Sequence, residues 1–143
     1  CLYLISLSND INNFKSLATL DINKCLILTL LSNELDNVTS LTTLNISKYL
    51  SLISLSNNLD TFISLIKFNI INCSSLTSFS NKLDNLTSLT TLDISKNFNL
   101  TLSSRELKNL TTLTILNINR NSNMTSLPNN LGNFTFLIIF DIS

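Results

Sequence analysis

The chain has 143 residues, of which 44% are apolar and 13% charged, and nine basic side chains balance nine acidic ones. Zero net charge argues against a nucleic-acid or anionic-membrane partner, and no apolar run approaches the ~20 residues of a membrane helix. There is no histidine and a single glycine, so no phosphate-cradling loop can form, and no Cys or carboxylate grouping has metal-ligand spacing.

The dominant feature is a period of 24 residues. Residues 1–16 are the back two thirds of a unit. Full units follow at 17–40, 41–64, 65–88, 89–112 and 113–136, and residues 137–143 open another, with no insertion anywhere. Such a unit cannot bury its apolar face alone, so stability belongs to the stacked array. The chain starts and stops inside a unit, so we read residues 1–143 as one segment of a longer protein.

Counted from the first Leu of LTTLDIS, position 1 is Leu17, Leu41, Leu65, Leu89, Leu113 and Leu137. Position 4 is Leu20, Leu44, Phe68, Leu92, Leu116 and Phe140, and position 6 is isoleucine from Ile22 through Ile142. Positions 3–7 alternate polar and apolar, the period of a half-buried strand. This predicts parallel strands at Thr19–Asn23, Thr43–Ser47, Lys67–Ile71, Thr91–Ser95, Ile115–Asn119 and Ile139–Ser143. Apolar columns at positions 12, 15, 19 and 22, such as Leu52, Leu55, Leu59 and Phe62, complete the core. On the far side, Asn33 to Val38 and its equivalents predict a short helix or 3-10 turn per unit, with Asn or Ser able to cap it.

Position nine is Cys1, Cys25, Tyr49, Cys73, Asn97 and Asn121, a structural column. Asn97 and Asn121 can serve backbone groups through their amides, a thiol fills space, and Tyr49 is expected to swing outward. The cysteines are expected as buried thiols, which fit a reducing compartment. In the fourth full unit Ser103 stands where an apolar residue belongs, with Leu102 beside it. Either the backbone shifts by one residue, or Ser103 bonds the main chain.

The pattern LxxLxIxx(C/N)xxLxxL resembles the leucine-rich repeat family over the whole chain. The sub-patterns SLPNNLGN at 126–133 and CSSLTSF at 73–79 are similar to repeats of plant intracellular immune receptors, although the proline survives only as Pro128. The resemblance implies an α/β architecture: a right-handed solenoid with a parallel concave sheet and short turns on its convex side. It also implies a larger receptor or scaffold in which the repeats bind a ligand or restrain a neighbouring domain.

A solenoid turns each repeat position into a stripe. Position 5 gives Asp21, Asn45, Asn69, Asp93, Asn117 and Asp141. Position 8 gives Lys24, Lys48, Asn72, Lys96 and Arg120, a nearly unbroken basic line. These stripes serve either binding or the solubility of an exposed sheet. Departures from regularity mark the candidate partner surface: Lys67, Ile71, Ile115, Arg120 and Ile139, with Asp93, Lys96 and Asn117 beside them. Ile115 and Ile139 on adjacent rungs, bordered by Arg120, have the make-up of a small hot spot. Paired carboxylates such as Asp21 and Asp93 lie three turns apart, too far for shared acid–base work, so no catalytic residue, cofactor or metal is expected.

These observations point to a protein-recognition module whose partner is a protein ligand or a neighbouring domain of the same chain. The alternatives are a structural or surface-adhesion array, or the substrate-selecting repeats of an enzyme. The uncapped ends predict edge-to-edge self-association. The expected location is the cytoplasm, with the cell surface as the alternative.

Overall fold

Residues 9–24, 35, 37–53, 55, 59, 61–79, 83–124, 127, 129 and 131–143 are described by a computed structural model. Cys1, Cys25 and Pro128 lie outside these residues, as does the predicted turn at 33–34. Six strands follow one another: β1 Thr19–Asp21, β2 Thr43–Ser47, β3 Lys67–Ile71, β4 Thr91–Asp93, β5 Ile115–Asn117 and β6 Ile139–Asp141. They form one parallel sheet in chain order. Each residue pairs with its equivalent one unit on: Leu44 with Phe68, Asp93 with Asn117, Ile115 with Ile139. The molecule is a parallel β-solenoid, each unit of the sequence forming one coil.

Four strands span three residues where five were predicted. The hydrogen-bond ladder nevertheless runs on. Ile94 N–H donates to the Asn117 carbonyl and Lys96 N–H to that of Asn119, both at 2.9 Å. These four strands end early because the position-5 side chain takes the N–H of position 7, not because the coils separate.

The predicted columns are the core. Leu41, Leu65, Leu89 and Leu113 are fully buried, as are Leu44, Phe68, Leu92 and Leu116, and Ile46, Ile70 and Ile94. Val38, Leu86 and Leu110 close the far side. At the last coil the inward residues Phe140 and Ile142 are uncovered. Tyr49 corrects the sequence reading: its ring is 1% exposed and belongs to the core. The next coil carries the smaller Cys73 at the same position, and burying an aromatic ring outweighs leaving it in water.

The many Ser and Thr residues stitch coil to coil. The hydroxyls of Thr42, Thr90 and Thr114 donate to the carbonyls of Ala18, Ile66 and Thr90. Those of Thr77 and Thr101 donate to Ile53 and Thr77, and Ser40 donates to Lys15.

Among the described residues the convex side carries 3-10 turns at Asn9–Asn13, Leu83–Asn85 and Leu131–Asn133, and one short helix, α1, at Ser104–Leu107. The helix forms where the sequence reads Ser103-Ser-Arg-Glu106, the spacing of a capping box. Ser103 is exposed, while Leu102 packs on the core, so the backbone has shifted by one residue. Glu106 is buried and staples two coils: its carboxylate accepts the N–H of Ser103 at 2.6 Å and that of Phe79 at 3.2 Å.

Glu106→Ala strands both donors, one of them in the core, and is expected to cost about 2–4 kcal/mol. Leu92→Ala and Ile94→Ala are each expected to cost about 2–5 kcal/mol. Asp93→Ala, on the outward face between them, is expected to lose about 1 kcal/mol, because its carboxylate is hydrogen-bonded. Urea denaturation monitored by circular dichroism checks the order. Equal losses at residues 92, 93 and 94 would contradict the assignment of faces.

Candidate recognition surface

Four of the six strands, β1, β4, β5 and β6, end in the same three-residue device. At position 5 an Asp or Asn side chain accepts the N–H two residues on: Asp21 from Asn23, Asp93 from Ser95, Asn117 from Asn119 and Asp141 from Ser143, at 3.0–3.2 Å. This local bond competes with the strand and starts a turn. Three residues after position 5, at position 8, the chain enters the left-handed region. Lys24, Lys48, Asn72, Lys96 and Arg120 have φ of 60°, 63°, 60°, 61° and 55°.

Position nine then returns the chain to the core. The Asn97 amide oxygen accepts the N–H of Cys73 at 2.7 Å, and that of Asn121 accepts the N–H of Asn97 at 2.8 Å. The Asn97 amide nitrogen donates to the carbonyls of Ile70 and Ile94, and that of Asn121 to Ile118. These buried amides link each turn to the coil before it. Cys73 mimics them weakly, with its Sγ 3.7 Å from the Ile46 carbonyl. Burial pushes its thiol up to about 11, so it is not a nucleophile at neutral pH.

Across the concave face the strand-end side chains also join adjacent coils. Asn45 donates to Asp21 at 3.3 Å and Asn117 to Asp93 at 3.1 Å, both within position 5, and Asn119 of position 7 donates to Asp141 at 3.0 Å. The Ser143 backbone N–H, helped by its hydroxyl, holds the Asp141 carboxyl below the usual carboxylate range. Asp93 and Asn117, named above as partner residues, therefore spend much of their hydrogen bonding inside the fold.

The sheet brings together part of the sequence-derived set. Ile115 and Ile139 are register partners; Ile115 is half-buried and Ile139 is 50% exposed. Lys96 and Arg120 occupy the same position on adjacent coils, and both are exposed. Lys67 and Ile71 lie at opposite ends of β3, with Lys67 exposed and Ile71 half-buried opposite Ser47. Sequence reasoning missed the positive φ at position 8, because Lys and Arg do not signal it. The readable sign was the Asp or Asn three residues earlier in every copy.

No family model and no curated protein matches the chain. Solved structures do resemble it. An internalin (inlF) of Listeria monocytogenes is 25% identical over 96% of this chain and 44% of its own, with a TM-score of 0.65. The plant peptide hormone receptor RGFR1 in complex with RGF2 is 18% identical over 96% of this chain and 22% of its own, with a TM-score of 0.72. A leucine-rich repeat protein of Leptospira interrogans is 21% identical over 97% of this chain and 40% of its own, with a TM-score of 0.65. The chain thus spans less than half the length of each. Its structural neighbours are leucine-rich repeat proteins.

Two substitutions test the strand-end device by urea denaturation. Lys96→Asn keeps the turn and relieves a side chain poorly suited to positive φ, as Asn72 already does, so it is expected to stabilise by about 0.5–1 kcal/mol. Asn97→Ala removes buried bonds to three backbone groups and is expected to cost about 2–4 kcal/mol. A destabilised Lys96→Asn, or an Asn97→Ala loss under about 1 kcal/mol, would contradict the roles given.

Proposed function

We propose that this chain is the protein-recognition part of a larger receptor or scaffold, holding a protein ligand or a neighbouring domain on its concave sheet. The observation that carries the proposal is the pair Ile115 and Ile139. The two side chains stand on adjacent rungs of the outward face, on a sheet whose position-5 stripe is largely bonded within the fold. An exposed apolar pair is suited to an interface anchor, and the exposed Arg120 stands past the far end of β5. The solenoid fold supports the reading, since its structural neighbours include a receptor in complex with a ligand. Within this class the LxxLP-like sub-pattern favours an intracellular, immune-receptor type of role in the cytoplasm.

Peptides selected on the chain from an unbiased display library provide the test. Ile115→Thr with Ile139→Thr is expected to weaken selected peptides by more than about tenfold, while Lys108→Ser, exposed just after α1 on the convex side, leaves them unchanged. Loss on the convex substitution instead would contradict the proposal.

A further inference from the structure

Four cations stand at strand ends under a backbone cost and, among the described residues, without an ion-pair partner. Lys24, Lys48, Lys96 and Arg120 all hold positive φ, a conformation unfavourable for residues of this kind. All four are exposed, and among the described residues none makes an ion pair. Asn72 shows that an uncharged residue fits the same corner at lower strain. Local geometry therefore asks for Asn or Gly, and packing asks for nothing. The positive charge is left for something outside the chain.

The arrangement is not uniform. The cations form two adjacent pairs, Lys24 with Lys48 and Lys96 with Arg120, separated by the coil of Asn72. Within each pair one coil carries an acid at position 5, Asp21 or Asp93, and the other carries Asn45 or Asn117. Those two carboxylates already accept the N–H of Asn23 and Ser95 and the amides of Asn45 and Asn117. Asp141, one rung beyond Asn117, likewise accepts the amide of Asn119 and the N–H of Ser143, so the neighbouring acids are engaged in the fold while the four cations stay exposed and open to a carboxylate.

Rungs lie about 4.8 Å apart, so the centres of the two pairs are about 14 Å apart. An extended chain advances about 3.3–3.4 Å per residue, so side chains at i and i+4 span the same distance and project from the same face. The residue at i+2 falls on the coil of Asn72, which is preceded by the half-buried Ile71.

We infer that the strand-end rim binds an extended acidic peptide with the pattern acid-x-apolar-x-acid, its carboxylates at i and i+4 bridging Lys24/Lys48 and Lys96/Arg120. The inference rests on the recognition reading above and narrows it to one class of partner. Exposed ion pairs are weak and screened, so the binding is modest and falls with salt. Arg120 adds a fork suited to a carboxylate.

The test titrates the 143-residue chain with fluorescein-labelled peptides of Gly, Ser and Thr. Each carries two Glu spaced three, four or five apart, and Ile two residues after the first. The spacing of four is expected to bind about tenfold tighter than the other spacings and than its Gln/Gln counterpart. Lys24→Asn with Lys48→Asn, and Lys96→Asn with Arg120→Asn, keep the corner conformation, as circular dichroism verifies. Each pair of substitutions is expected to weaken that peptide about fivefold. Equal affinity at all spacings, binding indifferent to both pairs of substitutions, or equally tight binding of a short oligodeoxynucleotide would each overturn the inference. Library-selected peptides that depend on Ile115 and Ile139 but ignore the four cations would overturn it and leave the recognition reading standing. Selected peptides that bind elsewhere would remove both.

Discussion

The backbone of each coil is satisfied by the next coil, and everything else in the structure follows from that. A coil of 24 residues has no means of pairing its own strand, so its N–H and carbonyl groups are costly unless a neighbour stands one period away. The strict register of the six strands is the result. The same demand explains side chains that otherwise look like filler. Thr hydroxyls reach carbonyls of the coil before, Asn97 and Asn121 accept backbone N–H groups of that coil, and Glu106 does so where an irregular turn leaves two donors. A composition rich in Ser, Thr and Asn is part of the cross-coil bonding.

The concave face separates into groups that hold the fold and groups that do not. Asp21, Asp93, Asn117 and Asp141 end strands by accepting local N–H groups, and they tie adjacent coils together. Their chemistry is largely used. Ile115 and Ile139 and the cations of position 8 meet no such requirement. The position-8 residues are in fact tolerated against local preference, since a left-handed corner favours Asn or Gly over Lys or Arg. Separating the two groups changes which stripe deserves the functional reading. The sheet centre is mainly structural, and the rim with the isoleucine pair is free to act.

Much of this was legible in the sequence because a repeat reports each position several times. Ile22 through Ile142 at position 6 determine which face of every strand is inward, and the structure buries Ile46, Ile70 and Ile94 fully. The shift at Leu102 and Ser103 could be anticipated from a displaced apolar residue. Three features were not legible. The early end of β1, β4, β5 and β6 depends on a side-chain-to-backbone bond that does not disturb the hydrophobic period. The corner at position 8 was hidden because its residues are those of an ordinary solvated surface. Tyr49 was placed outside because its column is otherwise small, whereas the core accepts it beside Cys73.

The central claim is that side-chain amides and backbone ladders form one cross-coil network, on which the geometry of the rim depends. Native-state amide hydrogen exchange tests it most directly. The N–H groups of Cys73 and Asn97, bonded to the side chains of Asn97 and Asn121, are expected to exchange as slowly as the ladder amides of Ile94 and Lys96 and to open with them as one unit. Fast exchange at Cys73 and Asn97 beside a protected ladder would contradict the account.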